Sequence, residues 1–300
     1  MSLAVFLELV EIKAKTASVL PFLIGICFSW YNYHALNLGY VILFFIAMFI
    51  FNMAVDILDN LNDYHHAVDE LEYKRKTNII GREHLSVKLV FSIMITMVII
   101  SALIGVVLAW LTGWPLLIMG LWCYLVGVFY SSGPHPFSSM PLGELLSGVT
   151  MGFMIILISI YLNTFEVITW NVATIAKIAL IALPTSAWIA NLMLANNISD
   201  LDEDESNLRY TLPHYLGKKR AVNLFVLLNV IAFIAIIGAV VVKIAPWTML
   251  ITLVVVPIVV KQTRIFMKKQ VKKETFVTAI RILAIGSFAQ VVSYAVGLFL

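Results

Sequence analysis

The sequence predicts an all-α membrane protein with nine transmembrane helices, and two observations carry that prediction: its composition and the length of its apolar runs. Hydrophobic residues occupy 61% of the 300 positions and charged residues only 12%, with a mean hydropathy of +0.97. A water-soluble domain carries roughly a quarter charged residues, so too few polar side chains remain to cover a soluble particle. The apolar residues also form continuous runs of about the 20 residues that a transmembrane helix requires.

These apolar runs do not alternate with polar residues, as the strands of a membrane β-barrel would. Within lipid, a single segment satisfies its own backbone hydrogen bonds only as a helix. We therefore expect one integral membrane domain over residues 1–300, built from helices numbered span 1 to span 9 in chain order. The spans cover about residues 17–34, 38–58, 88–110, 114–131, 143–163, 173–196, 221–242, 245–262 and 277–299.

The basic residues are concentrated in three polar connections, at 59–88, 200–220 and 261–273. Lysine and arginine in short loops mark the cytoplasmic side of a membrane protein, and with nine spans all three connections fall on that side. We therefore expect a multi-pass protein of the cell membrane with a cytoplasmic N-terminus. The basic run at 261–273 is interpreted as a surface that faces lipid headgroups. The net charge of +3 is small, and no nucleic-acid partner is expected.

The end of span 2 carries an asparagine and three aspartates on one predicted helix face. At roughly 100° per residue, Asn52, Asp56, Asp59 and Asp63 lie within about 60° of one another. Carboxylates on one face repel each other, and an ionised aspartate in the bilayer costs about 3 kcal/mol. A hard divalent cation offsets both costs, because carboxylate and amide oxygens are its preferred ligands. This first motif therefore predicts a magnesium site.

The end of span 6 repeats this chemistry in a second motif. Asn196, Asp200 and Asp204 are spaced four residues apart, and Asn197 flanks their common face. Spans 2 and 6 have the same polarity in a nine-span chain, so both motifs are expected on the same side of the membrane. Two such stripes, facing each other, would hold two or three magnesium ions around a diphosphate. The structural alternative is a pair of solvated helix ends.

Basic residues follow each motif at short range. Lys76 and Arg82 come after the first motif, and Arg209 comes after the second motif. Cations beside acidic clusters fit a diphosphate that metals hold on one side and bases on the other, which stabilises the charge that builds up on a leaving group. The positive-inside bias by itself also explains basic residues in these loops.

A third polar segment, 130–144, is expected on the same side and contains Tyr130, His135 and Glu144. Its Gly-Pro dipeptide predicts a rigid turn. Glu144 opens span 5, where a helix N-terminus favours an anion, so a structural interpretation suffices for it. His135 is a candidate either for contact with an acceptor carboxylate or for carrying a proton.

Together these motifs resemble the UbiA superfamily of membrane prenyltransferases, and the resemblance covers nearly the whole chain. The motif of span 2 is similar to the family's DxxDxxxD motif, with a basic segment after it, and the motif of span 6 is similar to its DxxxD motif. The runs at 196–200 and 130–144 are most similar to the menaquinone branch, which prenylates 1,4-dihydroxy-2-naphthoate. The resemblance implies a UbiA-like helix bundle, Mg²⁺, a polyprenyl diphosphate and an aromatic acid acceptor that loses CO₂. The basic connections predict that the active site faces the cytoplasm.

The motifs and the resemblance together predict roles for individual residues. The catalytic and metal-binding aspartates would be Asp56, Asp59, Asp63, Asp200 and Asp204. Further metal ligands would be Asn52 and Asn196, diphosphate ligands would be Lys76, Arg82 and Arg209, and acceptor ligands would be Asn197, Tyr130 and His135.

Two positions depart from the family pattern. Val55 stands where the family usually has an asparagine, and Ser199 stands where the naphthoate branch often has a basic residue. The departure at Ser199 leaves 4-hydroxybenzoate or haem open as alternative acceptors. An ion-coupled transporter is the alternative from another functional class, but its acidic residues are expected near mid-bilayer on broken helices. Acidic residues at helix ends beside basic loops favour the enzyme.

Overall fold

The structure is a computed structural model that describes residues 1–66 and 77–300, except for the side chain of His66. All regular elements in these two ranges are helical, which confirms the all-α prediction. Within them, nine helical segments are long and apolar enough to cross a membrane, and they match the predicted spans in order. Spans 1 to 9 are Ile12–Tyr33, Leu38–His65, Val87–Thr112, Trp114–Ser131, Gly143–Thr164, Val172–Ser199, Lys218–Val241, Trp247–Lys268 and Lys272–Val296.

Several spans extend beyond their apolar cores into the polar connections. The helix of span 2 continues to His66, although its apolar run ends near residue 58, because charged residues at a helix end reach water without breaking the helix. The described ranges also contain short helical elements outside the spans. They are Leu3–Leu9, Ile79–Arg82, Phe137–Ser139, Leu201–Ser206 and Leu212–Leu216.

Three spans change their helix type along their length. Span 1 opens with the 3-10 helix Ile12–Lys15 before the α-helix Thr16–Tyr33. Span 8 is the 3-10 helix Trp247–Val255 followed by the α-helix Val256–Lys268. Span 5 contains a π-helix, a form that is often found at functional sites. Its three parts are the α-helix Gly143–Ser147, the π-helix Gly148–Met154 and the α-helix Ile155–Thr164.

The chain divides into two compact units, of which the first comprises Met1–Thr16 and Gly39–Pro136. It contains spans 2, 3 and 4. Its buried core joins the N-terminal helix, span 2, the helix at 79–82 and span 3. The core residues are Leu9, Val10, Ala54, Ile57, Leu61, Ile79, Ile80, Val90 and Met94. This packing buries one face of the polar end of span 2 and leaves the opposite face of the helix outside the core.

The second unit comprises Ala17–Leu38 and Phe137–Leu300. In it, span 6 packs against spans 5, 7 and 9. A Cβ atom added at Gly152 of span 5 would lie 2.4 Å from the Cα of Ser186 in span 6. Small residues of this kind let helix backbones approach closely, which supplies the van der Waals contact that drives helix association in lipid. The contact holds the two spans that carry the second motif and Glu144 together.

Candidate active site

The first motif lies on one uninterrupted α-helix, Leu38–His66. Asn52 and Asp56 are half-buried, and Asp59 and Asp63 are exposed. The hydrophobic residues between them point the other way, since Ile57 and Leu61 of the same helix are buried in the core of the first unit. The helix therefore presents the stripe of amide and carboxylate side chains on the side opposite that core.

Lys15, at the start of span 1, contacts this stripe, and the sequence patterns did not identify it. Its ammonium donates hydrogen bonds to the Oδ2 atom of Asp56 and to the backbone oxygen of Asn52, the latter at 3.3 Å. Its side chain is only 5% exposed. A signal was available, because the start of one span and the end of the next lie on the same side of a membrane. A lysine that opens span 1 is thus a candidate partner for the acidic end of span 2.

Residues 78–82, which follow the first motif in sequence, contact span 2 and the N-terminal helix. Asn78 is buried, and its side-chain amide donates a hydrogen bond to the backbone oxygen of Asn60 at 2.9 Å. Arg82, a predicted diphosphate ligand, donates to Oε1 of Glu8 at 2.7 Å, and this bond raises the pKa of the Arg82 guanidinium. The other predicted basic ligand of this segment, Lys76, lies outside the described residues.

Two predicted acceptor ligands lie at the end of span 4 in the first unit. Tyr130 is half-buried in the last turn of that span, and His135 is exposed in the turn that follows. Asn62, the neighbour of Asp63 in sequence, donates a hydrogen bond to the backbone oxygen of Ser131 at 3.0 Å. This bond holds the end of span 2, with its acidic stripe, beside the last turn of span 4.

The second motif keeps its four-residue spacing across a break between two helices. Asn196 lies in the last turn of span 6, Asp200 is the C-cap residue of that span, and Asp204 lies in the short helix Leu201–Ser206. The backbone N–H of Asp200 donates to the backbone oxygen of Asn196 at 3.0 Å, and that of Asp204 donates to the backbone oxygen of Asp200 at 2.8 Å. Asn196 and Asp200 are half-buried, whereas Asp204 is buried.

Arg209, the third predicted diphosphate ligand, folds back onto Asp204. Its Nε atom lies 3.4 Å from Oδ1 of Asp204, and its Nη2 atom donates to the backbone oxygen of Ser138 at 3.4 Å. Burial raises the pKa of the Asp204 carboxyl, and the charge of Arg209 acts in the opposite direction. The guanidinium thus joins the second motif to the turn that precedes span 5.

Glu144 is a buried neighbour of the second motif, which its interpretation as a helix-start anion did not anticipate. Its Oε1 atom accepts a hydrogen bond from the side-chain amide of Asn197 at 2.8 Å. Both side chains are buried, and Oε2 of Glu144 has no hydrogen-bond partner among the described residues. Asn197, the third predicted acceptor ligand, therefore has a carboxyl group as its partner.

Lys272 opens span 9 and forms an ion pair with Oδ2 of Asp200. The sequence interpretation placed the whole run at 261–273 against lipid headgroups, and for Lys272 that interpretation is wrong. Span 9 starts on the side where span 6 ends, so the same parity argument that applies to Lys15 would have identified it. The side chain of Lys272 is 51% exposed and that of Asp200 is 13% exposed.

The donor atoms of both motifs suit magnesium. Carboxylate and amide oxygens are the ligands of hard divalent cations, and Mg²⁺ commonly shares a few carboxylates with substrate phosphates and waters. Within the described part of either unit, no three His, Cys, Asp or Glu side chains form a group that holds a metal by themselves.

A cavity of about 500 Å³ lies at the end of the second unit that is opposite to the second motif. Its walls include His34 after span 1, Lys243 after span 7 and Gly297 after span 9. Lys272 and Gly297 lie at opposite ends of span 9, whose 25 residues extend over about 37 Å at 1.5 Å per residue. The cavity is therefore separate from the acidic motif.

The described ranges contain nine helices that are long and apolar enough to cross a membrane. Two of these helices end in acidic motifs, and the first aspartate of each motif forms an ion pair with a lysine. These features define a multi-pass membrane protein with two acidic motifs. The chain belongs to the UbiA prenyltransferase family, whose family model matches residues 18–285. The family assignment made from the motifs is thereby confirmed.

The chain is similar to a 1,4-dihydroxy-2-naphthoate octaprenyltransferase of Bacillus subtilis (strain 168). The two are 29% identical over 241 residues, which cover 80% of this chain and 75% of that relative. A UbiA homologue from Aeropyrum pernix K1 has a similar fold, with a TM-score of 0.70, 19% identity, and coverage of 92% of this chain and 97% of that one. A UbiA homologue from Archaeoglobus fulgidus, bound to GPP and Mg²⁺, gives a TM-score of 0.65 at 14% identity and covers 99% of this chain and 100% of its own.

Proposed function

We propose that this prenyltransferase transfers a polyprenyl group from its diphosphate to 1,4-dihydroxy-2-naphthoate, with loss of CO₂, as a step of menaquinone biosynthesis. The observation that carries the proposal is the 29% identity, over 80% of the chain, to a relative named for this reaction. In the proposal, residues 1–300 act as one catalytic domain in the cell membrane, and the two acidic motifs face the cytoplasm.

In this proposal both acidic motifs act on the same diphosphate substrate. The aspartates of both motifs, together with Asn52 and Asn196, would supply oxygen ligands for Mg²⁺. The bound ion would provide positive charge that stabilises the leaving diphosphate. The Archaeoglobus fulgidus homologue is described as bound to GPP and Mg²⁺, which supports this choice of metal. Arg209 and Arg82 add charge of their own, and Lys76 is proposed for the same role from its position in the sequence.

The reaction begins when the allylic C–O bond breaks and its electron pair leaves with the diphosphate. The aromatic carbon that carries the acceptor carboxylate then forms a bond to the prenyl carbon. The electron pair of the bond to the carboxylate restores the aromatic ring as CO₂ leaves. Asn197, Tyr130 and His135 are proposed to orient the acceptor, and Asp63 is the alternative candidate for removing a proton from it.

Purified protein with a polyprenyl diphosphate and dihydroxynaphthoate should release pyrophosphate only when Mg²⁺ is present. Asp56→Ala and Asp200→Ala should each abolish turnover and leave the protein folded, because each removes a proposed metal ligand. Asp202→Ala is the matched control, since Asp202 is an exposed acid beside the second motif that lies outside its four-residue spacing. Retained turnover in either of the first two variants would refute the metal assignment. Faster turnover with 4-hydroxybenzoate would reassign the acceptor.

A further inference from the structure

Each acidic motif has a lysine on its first aspartate, and neither lysine belongs to a motif. Lys15 pairs with Asp56 in the first unit, and Lys272 pairs with Asp200 in the second unit. In both motifs this aspartate follows the leading asparagine by four residues, so the two lysines occupy equivalent positions. An ammonium and a divalent cation both bind carboxylate oxygens, and each lysine therefore occupies an oxygen that a metal could bind.

The two lysines differ in how readily they can leave. The Lys15 side chain is 5% exposed and also donates to the backbone oxygen of Asn52 at 3.3 Å. The Lys272 side chain is 51% exposed. An exposed ion pair changes an equilibrium by about fivefold or less. Removing one partner of a buried pair changes it by more than about a hundredfold.

We propose that Lys272 is a displaceable counter-ion, which competes with a divalent cation for Asp200, and that Lys15 is a fixed counter-ion that stays on Asp56. Asp56 then offers a metal only its Oδ1 atom, because Oδ2 remains bound to Lys15. Asp200 offers both oxygens once the Lys272 ammonium has moved into water. The proposal rests on the proposed function in one respect, namely that Asp200 is a metal ligand.

The first test measures Mg²⁺ affinity of the purified full chain by calorimetry, without prenyl diphosphate. Lys272→Met should bind Mg²⁺ about fivefold more tightly than the unaltered protein, because the competing cation is gone. Lys273→Met is the control, since it removes the same charge from the adjacent exposed position and should change the affinity less than twofold. An unchanged affinity in Lys272→Met, or an equal gain in Lys273→Met, would overturn the displaceable role of Lys272.

The second test separates the fixed lysine from the displaceable one. Lys15→Met should lower the thermal stability of the metal-free protein, and Lys13→Met, at an exposed position two residues away, should not. If Lys15→Met fails to fold, Lys15→Arg still decides the matter, because it keeps a cation on Asp56. That variant should fold with a Mg²⁺ affinity within twofold of the original. An unchanged melting temperature in Lys15→Met would show that this buried lysine stabilises nothing on Asp56 and would overturn its fixed role.

The same measurements distinguish a failure of this inference from a failure of the proposed function. Asp200→Asn should weaken Mg²⁺ binding whether or not Lys272 competes for the carboxylate. If Asp200→Asn leaves Mg²⁺ binding unchanged, the metal assignment itself is wrong and the counter-ion role is overturned with it. If Asp200→Asn weakens binding while Lys272→Met has no effect, only the counter-ion role is overturned.

Discussion

Replacing Asn197 by leucine tests the buried contact between span 6 and the start of span 5. The substitution removes the amide that donates to Oε1 of Glu144 at 2.8 Å. Leucine has the same branched arrangement of side-chain heavy atoms as asparagine, so it leaves no cavity. Since Oε2 of Glu144 already has no partner among the described residues, the buried carboxyl group of the variant is left without this donor.

The expected cost follows from that loss. A buried polar group that loses its hydrogen bond costs about 1–3 kcal/mol, and more if it is charged, so we expect about 3 kcal/mol for Asn197→Leu. For a chain of this size, 1 kcal/mol corresponds to a shift of roughly 2 °C in Tm. The melting temperature of the detergent-purified protein, followed by intrinsic fluorescence, should therefore fall by about 6 °C.

A double-mutant cycle makes this reasoning refutable. Glu144→Leu combined with Asn197→Leu removes both polar groups, and replacing a buried polar pair by apolar residues is often nearly neutral. The double variant should therefore regain at least half of the Tm lost in Asn197→Leu. Asn207→Leu, at an exposed position in the same region, should shift Tm by less than about 2 °C. If the Tm losses of the single variants Asn197→Leu and Glu144→Leu simply add in the double variant, the contact between the two side chains carries no stabilising energy.

Two further predictions concern packing and charge. Gly152→Ala would place a Cβ atom 2.4 Å from the Cα of Ser186, so the yield of monodisperse protein in size-exclusion chromatography should fall sharply. Gly105→Ala has nothing within 4 Å of the added atom and should leave that yield unchanged. Arg82→Gln releases Glu8 from a half-exposed ion pair, so Tm should move by at most about 2 °C. Steady-state kinetics should show a several-fold higher KM for the prenyl diphosphate, and an unchanged KM would remove Arg82 from the diphosphate site.

The order of the spans was predictable because the free energy that places a helix in lipid depends on local composition. Each apolar run has to satisfy its own backbone groups, so hydropathy alone located all nine spans found in the described ranges. The stripe of Asn52, Asp56, Asp59 and Asp63 was predictable for the same reason, since helix periodicity decides which residues share a face. The predicted end of span 2 at residue 58 was too early, because a polar helix end carries no hydropathy signal.

The partners of the acidic residues depended on tertiary structure. Lys15 and Asp56 are 41 residues apart in sequence, Lys272 and Asp200 are 72 apart, and Glu144 and Asn197 are 53 apart. Parity of the spans places each pair on one side of the membrane, but many other polar residues share that side. Which of them meet is decided by close helix packing, as where Gly152 lets span 5 approach span 6. The sequence by itself therefore determined the membrane helices and the positions of the acidic residues along them, whereas only the packed helices decided which cation or amide each carboxylate contacts.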